Sequence, residues 1–290
     1  MGDMMSAKIL EGKYFAQKFK EDAAKRTQIL KDKYGIVPGL AVIIVGEDPA
    51  SKVYVRNKHK SCAEVGVYSE VIEMSESSSK DDLLQKIDEL NANEKIHGIL
   101  VQLPLPRQIA KYESEIIERI SPDKDVDGFH PVNVGKMVTG EESLLPCTPA
   151  GCIKMLELAD IDMDGKRAVV IGRSNIVGKP MLHLFLRKNA TVTICHSHTQ
   201  NLAEITKESD ILVAAIGKPN FVTADMVKPG ATVIDVGINR IAPKKLVGDV
   251  DFENVKEVAG AITPVPGGVG LLTVAMLMQN VVKAAELSVR

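Results

Sequence analysis

The chain has 290 residues, which is enough for one large or two medium domains with a substantial core. Hydrophobic residues make up 45% and charged residues 26%, as in soluble globular proteins. The formal net charge of −2 gives no general attraction to nucleic acid or anionic membranes. We therefore expect no nucleic-acid partner and no membrane partner, and we expect no apolar run long enough to span a bilayer.

The chain has four cysteines and no C-x-x-C pair, which predicts free thiols in a reducing compartment. No secretory signal is visible, and Glu11, Glu21 and Asp22 argue against a transit peptide, which should be poor in acids. These features predict a cytoplasmic protein. Residues 1–6 formally fit the myristoylation pattern M-G-x-x-x-[ST], but nothing polybasic reinforces it and we expect no acylation.

The first half of the chain alternates helical and strand patterns. The predicted elements are a helix over 15–34, a strand over 40–45, a helix capped by Ser51, a strand over 67–74, a helix over 77–91 and a strand over 96–102. Leu83, Leu84, Ile87 and Leu90 share one face of the third helix. This series predicts a first α/β domain, whose last strand ends at the P-L-P of residues 104–106.

The second of these helices carries a candidate acid–base pair. Tyr54 and Lys58 are four residues apart, so their side chains stand on one face. The lysine charge favours a phenolate, and partial burial would make the lysine easier to deprotonate. The alternative interpretation is an ordinary basic helix surface, because Lys52, Arg56 and Lys60 are near in sequence.

Residues 123–128, D-K-D-V-D-G, imitate the start of a calcium-binding loop. The EF-hand pattern needs a glutamate six residues after Gly128, where this chain has Val134, so we expect no metal site. One carboxylate of this loop could instead accept two hydrogen bonds from an amino-heterocycle. A solvated acidic loop is the alternative.

A second domain is predicted to begin near Thr148, which can cap a helix that has Pro149 in its first turn. Strand patterns then alternate with helical patterns, which predicts a parallel doubly wound sheet. The predicted strands cover residues 168–171, 190–195, 211–216 and 232–236, and a last helix covers residues 271–287.

The first strand of this domain leads into a glycine-containing turn. Gly172 allows a tight turn, and Gly178 lets the next helix pack close to the sheet. A phosphate at that helix N-terminus would meet unpaired backbone N–H groups, and Arg173 could hold it bidentately. The spacing is G-x-x-x-x-x-G rather than the common G-x-G-x-x-G, so an ordinary turn with a solvated arginine stays open.

The next strand ends in C-H-S-H-T, residues 195–199. A dinucleotide fold that prefers NAD usually carries Asp or Glu here to bind the ribose 2′-OH, and this segment has neither. The neutral polar residues together with Arg173 therefore favour NADP over NAD. His196 and His198 can also be simple polar surface, which is the interpretation we prefer for His198.

Together these segments resemble the bifunctional methylenetetrahydrofolate dehydrogenase/cyclohydrolase family. The matching runs keep the family order and span nearly the whole chain. They are S-K-V-Y-V-R-N-K (51–58), V-Q-L-P-L-P (101–106), P-D-K-D-V-D-G-F (122–129), P-C-T-P-A-G (146–151), G-R-S-N-I-V-G-K-P (172–180), C-H-S-H-T (195–199), D-V-G-I-N (235–239), G-D-V (248–250) and T-P-V-P-G-G-V-G (263–270).

The resemblance implies an α/β fold with two α/β domains flanking a cleft. The first is a folate-binding catalytic domain over residues 1–148, joined by the C-terminal helix 271–290. The second is a Rossmann-like NADP-binding domain over residues 149–270. The resemblance also implies a homodimer that oxidises 5,10-methylenetetrahydrofolate with NADP and hydrolyses the methenyl product to 10-formyltetrahydrofolate, an activity that serves purine biosynthesis.

The family roles carry over to matching positions of this chain. Lys58 is implied as the central catalytic residue, with Tyr54, Gln102 and Asp127 as catalytic partners. The implied substrate-binding residues are Tyr54, Val101, Gln102, Leu103, Asp127, Gly268, Val269 and Gly270. The implied cofactor-binding residues are Gly172, Arg173, Ser174, Ser197 and Ile238.

The chain departs from the family pattern G-V-G-P-M-T, because Leu271 and Leu272 replace the proline and methionine. Losing a proline at the first turn removes a preset φ and could loosen the folate-side wall. The alternatives are an enzyme with only one of the two activities and a non-catalytic NADP-binding regulator. A short-chain reductase is disfavoured, because its Y-x-x-x-K follows the nucleotide turn, whereas here that motif precedes it.

Overall fold

The computed structural model describes residues 6–243 and 245–290. The myristoylation pattern therefore lies, apart from Ser6, outside the described residues. The helices are α1 (Gly12–Tyr34), α2 (Pro49–Val65), α3 (Lys80–Ala92), α4 (Glu113–Arg119), α5 (Pro131–Thr139), α6 (Cys147–Leu158), α7 (Gly178–Leu186), α8 (Leu202–Lys207), α9 (Phe252–Val255) and α10 (Val269–Leu287). The strands are β1 (Lys8–Ile9), β2 (Gly39–Val45), β3 (Tyr68–Met74), β4 (Gly98–Val101), β5 (Arg167–Ile171), β6 (Thr191–Cys195), β7 (Ile211–Ala214), β8 (Thr232–Asp235), β9 (Asn239–Ala242), β10 (Lys245–Val247) and β11 (Ala261–Ile262).

The chain divides into two compact units. The three-stranded unit comprises Gln17–Cys147 and Val274–Arg290. The six-stranded unit comprises the described residues up to Ala16 together with Thr148–Thr273. Both are α/β, as the alternating sequence patterns predict.

The three-stranded unit is built on a parallel sheet in the order β3–β2–β4. All seven residues of β2 are buried, as expected for a central strand covered on both faces. Leu83, Ile87 and Leu90 of α3 pack against one face of this sheet, while Leu84 is only partly buried. The predicted apolar face of this helix is therefore the one that faces the core.

The start of α2 differs from the prediction that Ser51 is its N-cap. Asp48 is the cap, and its carboxylate accepts a hydrogen bond from the Ser51 backbone N–H at 2.7 Å. Pro49 occupies the first turn, where its missing N–H leaves no donor unpaired. Ser51 is instead buried inside the first turn. The helix still carries Tyr54 and Lys58 one turn apart.

The six-stranded unit contains a parallel sheet in the order β1–β11–β8–β7–β5–β6. Strand β5 lies between β6 and β7, so the chain runs outward from β5 first to one side and then to the other. Such a reversal leaves a crevice at the carboxyl ends of the strands, which is where open α/β sheets bind ligands. The small antiparallel hairpin of β9 and β10 is separate from this sheet.

The N-terminal segment corrects the predicted domain boundaries. Lys8 and Ile9 pair in parallel with Ala261 and Ile262, so this segment is part of the six-stranded unit rather than of the first domain. A two-residue strand has no periodicity by which the sequence could reveal it. At the other end of the chain, the division falls after Thr273, inside α10 rather than at its start.

Helix α10 corrects the expectation that no apolar run is long enough to cross a bilayer. By length and composition alone, its 19 residues pass that test. About two thirds of the apolar window, 67%, is buried inside the protein. The apolar character of α10 is therefore explained by its place in the core.

The packing of α3 makes a testable prediction about two adjacent leucines. Leu83 is fully buried, so Leu83→Ala should leave a cavity and lower the free energy of unfolding by about 2–5 kcal/mol. Leu84→Ala removes the same atoms from a partly buried site and should have a smaller effect. Thermal and urea unfolding would measure both variants, and equal destabilisation would contradict the orientation of this helix.

Candidate active site and nucleotide site

Lys58 is half-buried on α2 and is held by a side chain from the end of β4. Its Nζ donates a hydrogen bond to Oε1 of Gln102 at 2.8 Å. Gln102 is fixed in turn, because its backbone N–H donates to the Ile43 carbonyl at 2.8 Å and its Nε2 to the Leu103 carbonyl at 2.6 Å. Burial lowers the pKa of Lys58, and the charge of Asp127 partly opposes that change. Forming the neutral amine therefore costs less free energy than for a lysine in water.

Asp127 lies on the segment between α4 and α5, close enough to Lys58 for the two charges to interact. Burial raises the pKa of Asp127 to about 6, the Lys58 charge opposes this, and Asp125 adds to it. The loop is held by Asp125, a buried carboxylate that accepts hydrogen bonds from the backbone N–H groups of residues 128–130. A carboxyl group of raised pKa therefore interacts electrostatically with an amine of lowered pKa.

The other predicted residues of the three-stranded unit lie close in sequence to Lys58 or to Gln102. Tyr54 lies one turn before Lys58 on α2 and is 49% exposed, so its ring is free to meet a flat ligand. Val101 is buried at the end of β4, and Leu103 is half-buried two residues later. The unit thus offers an acid, a base and an aromatic surface.

In the six-stranded unit, the turn after β5 fits tightly against the loop after β7. Gly172 has φ +125°, and a Cβ there would overlap the carbonyl oxygen of Ala215. A Cβ on Gly178 would overlap the carbonyl oxygen of Gly172. Only glycine fits at either position. The turn therefore lines the crevice where the strand order reverses, which is the expected place for a dinucleotide.

The N-terminus of α7 differs in one respect from the prediction. The Ser174 hydroxyl accepts hydrogen bonds from the N–H groups of Val177 at 3.1 Å and Gly178 at 3.4 Å. These donors are therefore already engaged, whereas the sequence argument assumed that they are unpaired. Arg173 and Ser174 are themselves exposed at the turn.

Ser197 follows β6, the neighbour of β5 in the sheet. Ile171 and Cys195 are paired in register, and the Gly172 N–H donates to the Cys195 carbonyl at 2.9 Å. The segments that carry Arg173 and Ser197 therefore leave the sheet side by side. An exposed guanidinium and an exposed hydroxyl at adjacent strand ends suit a phosphate on a ribose.

Two profiles of one protein family match the chain. The "Tetrahydrofolate dehydrogenase/cyclohydrolase, catalytic domain" matches residues 10–127, and the "Tetrahydrofolate dehydrogenase/cyclohydrolase, NAD(P)-binding domain" matches residues 146–289. The chain belongs to the tetrahydrofolate dehydrogenase/cyclohydrolase family. The resemblance seen in the sequence motifs is thereby confirmed, as is the expected Rossmann-like second domain.

Individual relatives agree over almost the full length. The "Bifunctional protein FolD" of Bacillus cereus (strain AH187) is 56% identical over 282 residues, which cover 97% of this chain and 98% of that protein. The solved FolD structure from Campylobacter jejuni is 48% identical, with a TM-score of 0.94 over 98% of this chain and 100% of that one. The FolD structure from Trypanosoma brucei, complexed with NADP cofactor and inhibitor, is 38% identical, with a TM-score of 0.92 over 99% of each chain.

The family motif T-P-V-P-G-G-V-G forms the entry to α10. A Cβ on Gly270 would lie 3.3 Å from Cδ1 of Ile238, so a candidate substrate residue and a candidate cofactor residue are in contact distance. Val269 is buried, and Gly268 leaves no room for a side chain against the Pro264 carbonyl. The candidate residues of this unit therefore converge on one edge of the six-stranded sheet.

The family departure at residues 271–272 has a visible local effect. The Leu271 N–H donates to the Gly268 carbonyl at 3.2 Å, a bond that the usual proline could not make. Leu271 is exposed, whereas Leu272 is fully buried. The first turn of α10 thus has a hydrogen bond in place of the fixed φ of proline.

Asp235 and Asp249 lie in the matching runs D-V-G-I-N and G-D-V, but the sequence predicted no role for either. Both carboxylates are buried. The carboxylate of Asp249 accepts hydrogen bonds from the backbone N–H groups of Ile216, Gly217 and Lys218 and from Nδ2 of Asn239. The carboxylate of Asp235 accepts hydrogen bonds from the N–H groups of Gly237, Asp249 and Val250, and burial raises its pKa to about 6. The pair fixes the loops after β7 and β8, and Ile238 lies on the second of them.

Cys147 is a further residue that the sequence did not single out. Its thiol is buried and donates to the Val126 carbonyl at 3.4 Å. Burial raises the pKa of Cys147 well above its ordinary value, and the charges of Asp127 and Lys58 act on it in opposite directions. The thiol is therefore protonated beside the Lys58–Asp127 pair. The feature of the sequence that could have identified Cys147 as a site residue is its position in the matching run P-C-T-P-A-G.

The described residues, 6–243 and 245–290, contain no group of three His, Cys, Asp or Glu side chains that could hold a metal ion. The D-K-D-V-D-G loop is instead organised by Asp125, as described above. Besides the backbone N–H groups of residues 128–130, the Asp125 carboxylate accepts a hydrogen bond from Nδ2 of Asn133 at 2.9 Å.

The Asp249 contacts make a second prediction. Asp249→Asn keeps the size of the side chain but turns an NH₂ group toward backbone N–H donors, leaving some of them unpaired. We expect a loss of about 2 kcal/mol or more in unfolding free energy, together with weaker NADPH binding in a fluorescence titration. Asp225→Asn, at an exposed site in the same unit, is the control. Unchanged NADPH affinity in Asp249→Asn would show that the fixed loops do not matter for the nucleotide.

Proposed function

We propose that this protein is a bifunctional enzyme of one-carbon metabolism. It oxidises 5,10-methylenetetrahydrofolate with NADP and hydrolyses the resulting 5,10-methenyltetrahydrofolate to 10-formyltetrahydrofolate, which serves purine biosynthesis. The observation that carries the proposal is the half-buried Lys58, bound to Gln102 and beside Asp127, in a chain of this family. No member of that arrangement is needed by a protein that only binds a nucleotide.

Lys58 is the central catalytic residue in this proposal. Its lowered pKa makes a neutral amine available, which can accept a proton from the water that attacks the methenyl carbon. A neutral amine also avoids repelling the cationic methenyl bridge. Gln102 accepts a hydrogen bond from Nζ and so keeps the amine aimed in one direction.

Asp127 and Tyr54 hold the folate. An ionised Asp127 can accept two hydrogen bonds from the amino-pyrimidine edge of the pterin, a geometry that suits a carboxylate. Tyr54 offers an exposed ring on which the flat part of the substrate can stack. Val101, Leu103 and the segment Gly268–Gly270 complete the proposed substrate contacts.

The proposed cofactor residues are Gly172, Arg173, Ser174, Ser197 and Ile238. When bound, NADP supplies the acceptor for the hydride. The close-fitting glycines let the cofactor approach the backbone, and Arg173 with Ser197 can hold the 2′-phosphate that distinguishes NADP from NAD. The NADP complex of the Trypanosoma brucei relative supports this choice.

We further propose a cytoplasmic homodimer without nucleic-acid or membrane partners. The four cysteines are all free and buried, which suits a reducing compartment. Exposed apolar side chains of the six-stranded unit, such as Ile176, Leu186 and Ile241, supply surface that a second copy could cover. Size-exclusion chromatography with light scattering would test the dimer.

An absorbance assay with methylenetetrahydrofolate tests the proposed activities, first with NADP and then with NAD. NADPH formation without accumulation of methenyltetrahydrofolate supports both activities, and direct addition of methenyltetrahydrofolate confirms the second. Accumulation of the methenyl product would reduce the proposal to a dehydrogenase. No reduction of either nucleotide would overturn the dehydrogenase assignment.

A substitution at Lys58 can test the role of the amine separately from that of the side-chain size. Lys58→Met keeps a similar size but cannot move a proton, so cyclohydrolase activity should fall by about 10²-fold or more. Lys60→Met, which removes an exposed lysine from the same helix, should change the rate little. Hydrolysis of added methenyltetrahydrofolate measures both variants, and retained activity in Lys58→Met would exclude the proton-transfer role.

The acidity of Asp127 predicts how folate binding varies with pH. Because its pKa is raised to about 6, the carboxylate is present above that pH and is lost by protonation as the pH falls through it. Tetrahydrofolate binding, followed by calorimetry, should therefore weaken with a midpoint near that value. Asp127→Asn should bind weakly at all pH values and lose this step, and an unchanged pH profile in that variant would contradict the assignment.

A further inference from the structure

We propose that Asn280, on α10, is a positioning residue that sets the place of Asp127 and thereby the affinity for folate. This inference rests on the proposed function, because it assumes that Asp127 binds the pterin. Nothing in the sequence motifs points to Asn280, which lies outside every matching run. The structure brings it to the loop that carries Asp127.

The Asn280 side chain is 4% exposed and joins two segments through one amide nitrogen. Its Nδ2 donates a hydrogen bond to the Val126 carbonyl at 2.8 Å and another to the Leu145 carbonyl at 2.8 Å. Val126 directly precedes Asp127, and Leu145 lies two residues before Cys147. The NH₂ group therefore donates to two backbone carbonyls of the candidate site, and its nitrogen also lies 3.5 Å from Sγ of Cys147.

The two segments have little freedom to move apart or to shift together. Val126 is fully buried, and a Cβ added to Gly98 of β4 would overlap its side chain. A Cβ on Gly128 would overlap the backbone at Leu145, so the loop and the 145–147 segment are in direct contact. Close packing of this kind transmits a small displacement rather than absorbing it.

Asp127 lies between two anchors in sequence. Asp125 binds the N–H groups that follow it, at residues 128–130, and Asn280 binds the carbonyl group that precedes it, at Val126. Without the Asn280 amide, one acceptor on each segment would lose a buried donor. The Val126 carbonyl would keep only the weaker Cys147 thiol as a donor, so the loop would be held less firmly and the Asp127 carboxylate could shift with it. Displacement by even a fraction of an ångström weakens a directional hydrogen bond.

The neighbouring residue on the same helix provides a matched control. Gln279 is also an amide, is also 4% exposed and also makes several hydrogen bonds. Its Nε2 donates to the Phe19 carbonyl at 2.6 Å and to Asp22 at 2.8 Å, and its Oε1 accepts from Arg26 at 2.7 Å. These bonds hold α10 to α1 and involve none of the candidate site residues. Gln279→Ala should therefore cost stability without disturbing the site.

The experiment compares Asn280→Ala, Asn280→Ser and Gln279→Ala with the wild-type enzyme. The measurements are the KM for methylenetetrahydrofolate, kcat, NADPH affinity and melting temperature. We expect Asn280→Ala to raise the folate KM about 10-fold or more, which corresponds to the loss of one good interaction, with unchanged NADPH affinity. Asn280→Ser keeps one donor and should give a smaller increase. Gln279→Ala should lower the melting temperature while its folate KM stays within about 2-fold of wild type.

A pH profile distinguishes positioning from simple loss of stability. If the loop loosens, Asp127 becomes better hydrated and its pKa falls from about 6 toward its ordinary value. The pH midpoint for tetrahydrofolate binding should then fall in Asn280→Ala and in Asn280→Ser, but not in Gln279→Ala. Asn280→Ser serves this test alone if the alanine variant does not fold.

An unchanged folate KM and pH midpoint in the Asn280 variants, with a melting temperature lowered as in Gln279→Ala, would overturn the inference. Such a result would leave the proposed function intact, because the wild-type enzyme would still turn over. An inactive wild-type enzyme would instead overturn the proposed function. The two failures are therefore distinguishable in one set of measurements.

Discussion

The candidate site of the three-stranded unit depends on the partial burial of one ammonium group, that of Lys58, which is energetically unfavourable. Burial lowers the pKa of Lys58 and raises that of Asp127, so the same low-polarity surroundings bring the two pKa values closer together. The charge on each group stabilises the charged form of the other, which limits both pKa shifts. Deprotonation of Lys58 and protonation of Asp127 therefore each cost less free energy than for the same side chains in water. Gln102, placed by the end of β4, keeps the amine in one orientation while this happens.

The six-stranded unit solves a different electrostatic problem. Asp235 and Asp249 are buried carboxylates that accept hydrogen bonds from backbone N–H groups and from one asparagine. Oriented backbone dipoles can stabilise such charges without a counter-ion. A Cβ at Gly237 or Gly248 would overlap one of these carboxylates, so the loops close around them without room for side chains. The result is a rigid rim beside the crevice at which the strand order reverses.

The sequence predicted those features that depend on local patterns. Runs rich in apolar and β-branched residues correctly indicated β2 and β5 to β8, and i, i+4 spacing correctly placed Tyr54 and Lys58 on one helix. The family motifs then identified the chemistry. Asn280 and Asp249 were not predicted, because each acts on backbone far away in sequence, and no spacing rule connects them to it. The error at the start of α2 is of a smaller kind: Ser51 and Asp48 are both good caps, and the choice between them depends on Pro49.

The strand β1 has a consequence for the order in which the molecule can be assembled during synthesis. Lys8 and Ile9 are synthesised long before their partners, Ala261 and Ile262. The three-stranded unit has most of its contacts available while the nascent chain is still growing. The outer strand of the other sheet must wait for its partner, and closing such a long loop is slow. The edge strand of the larger sheet is therefore completed late, once residues 261 and 262 have been made.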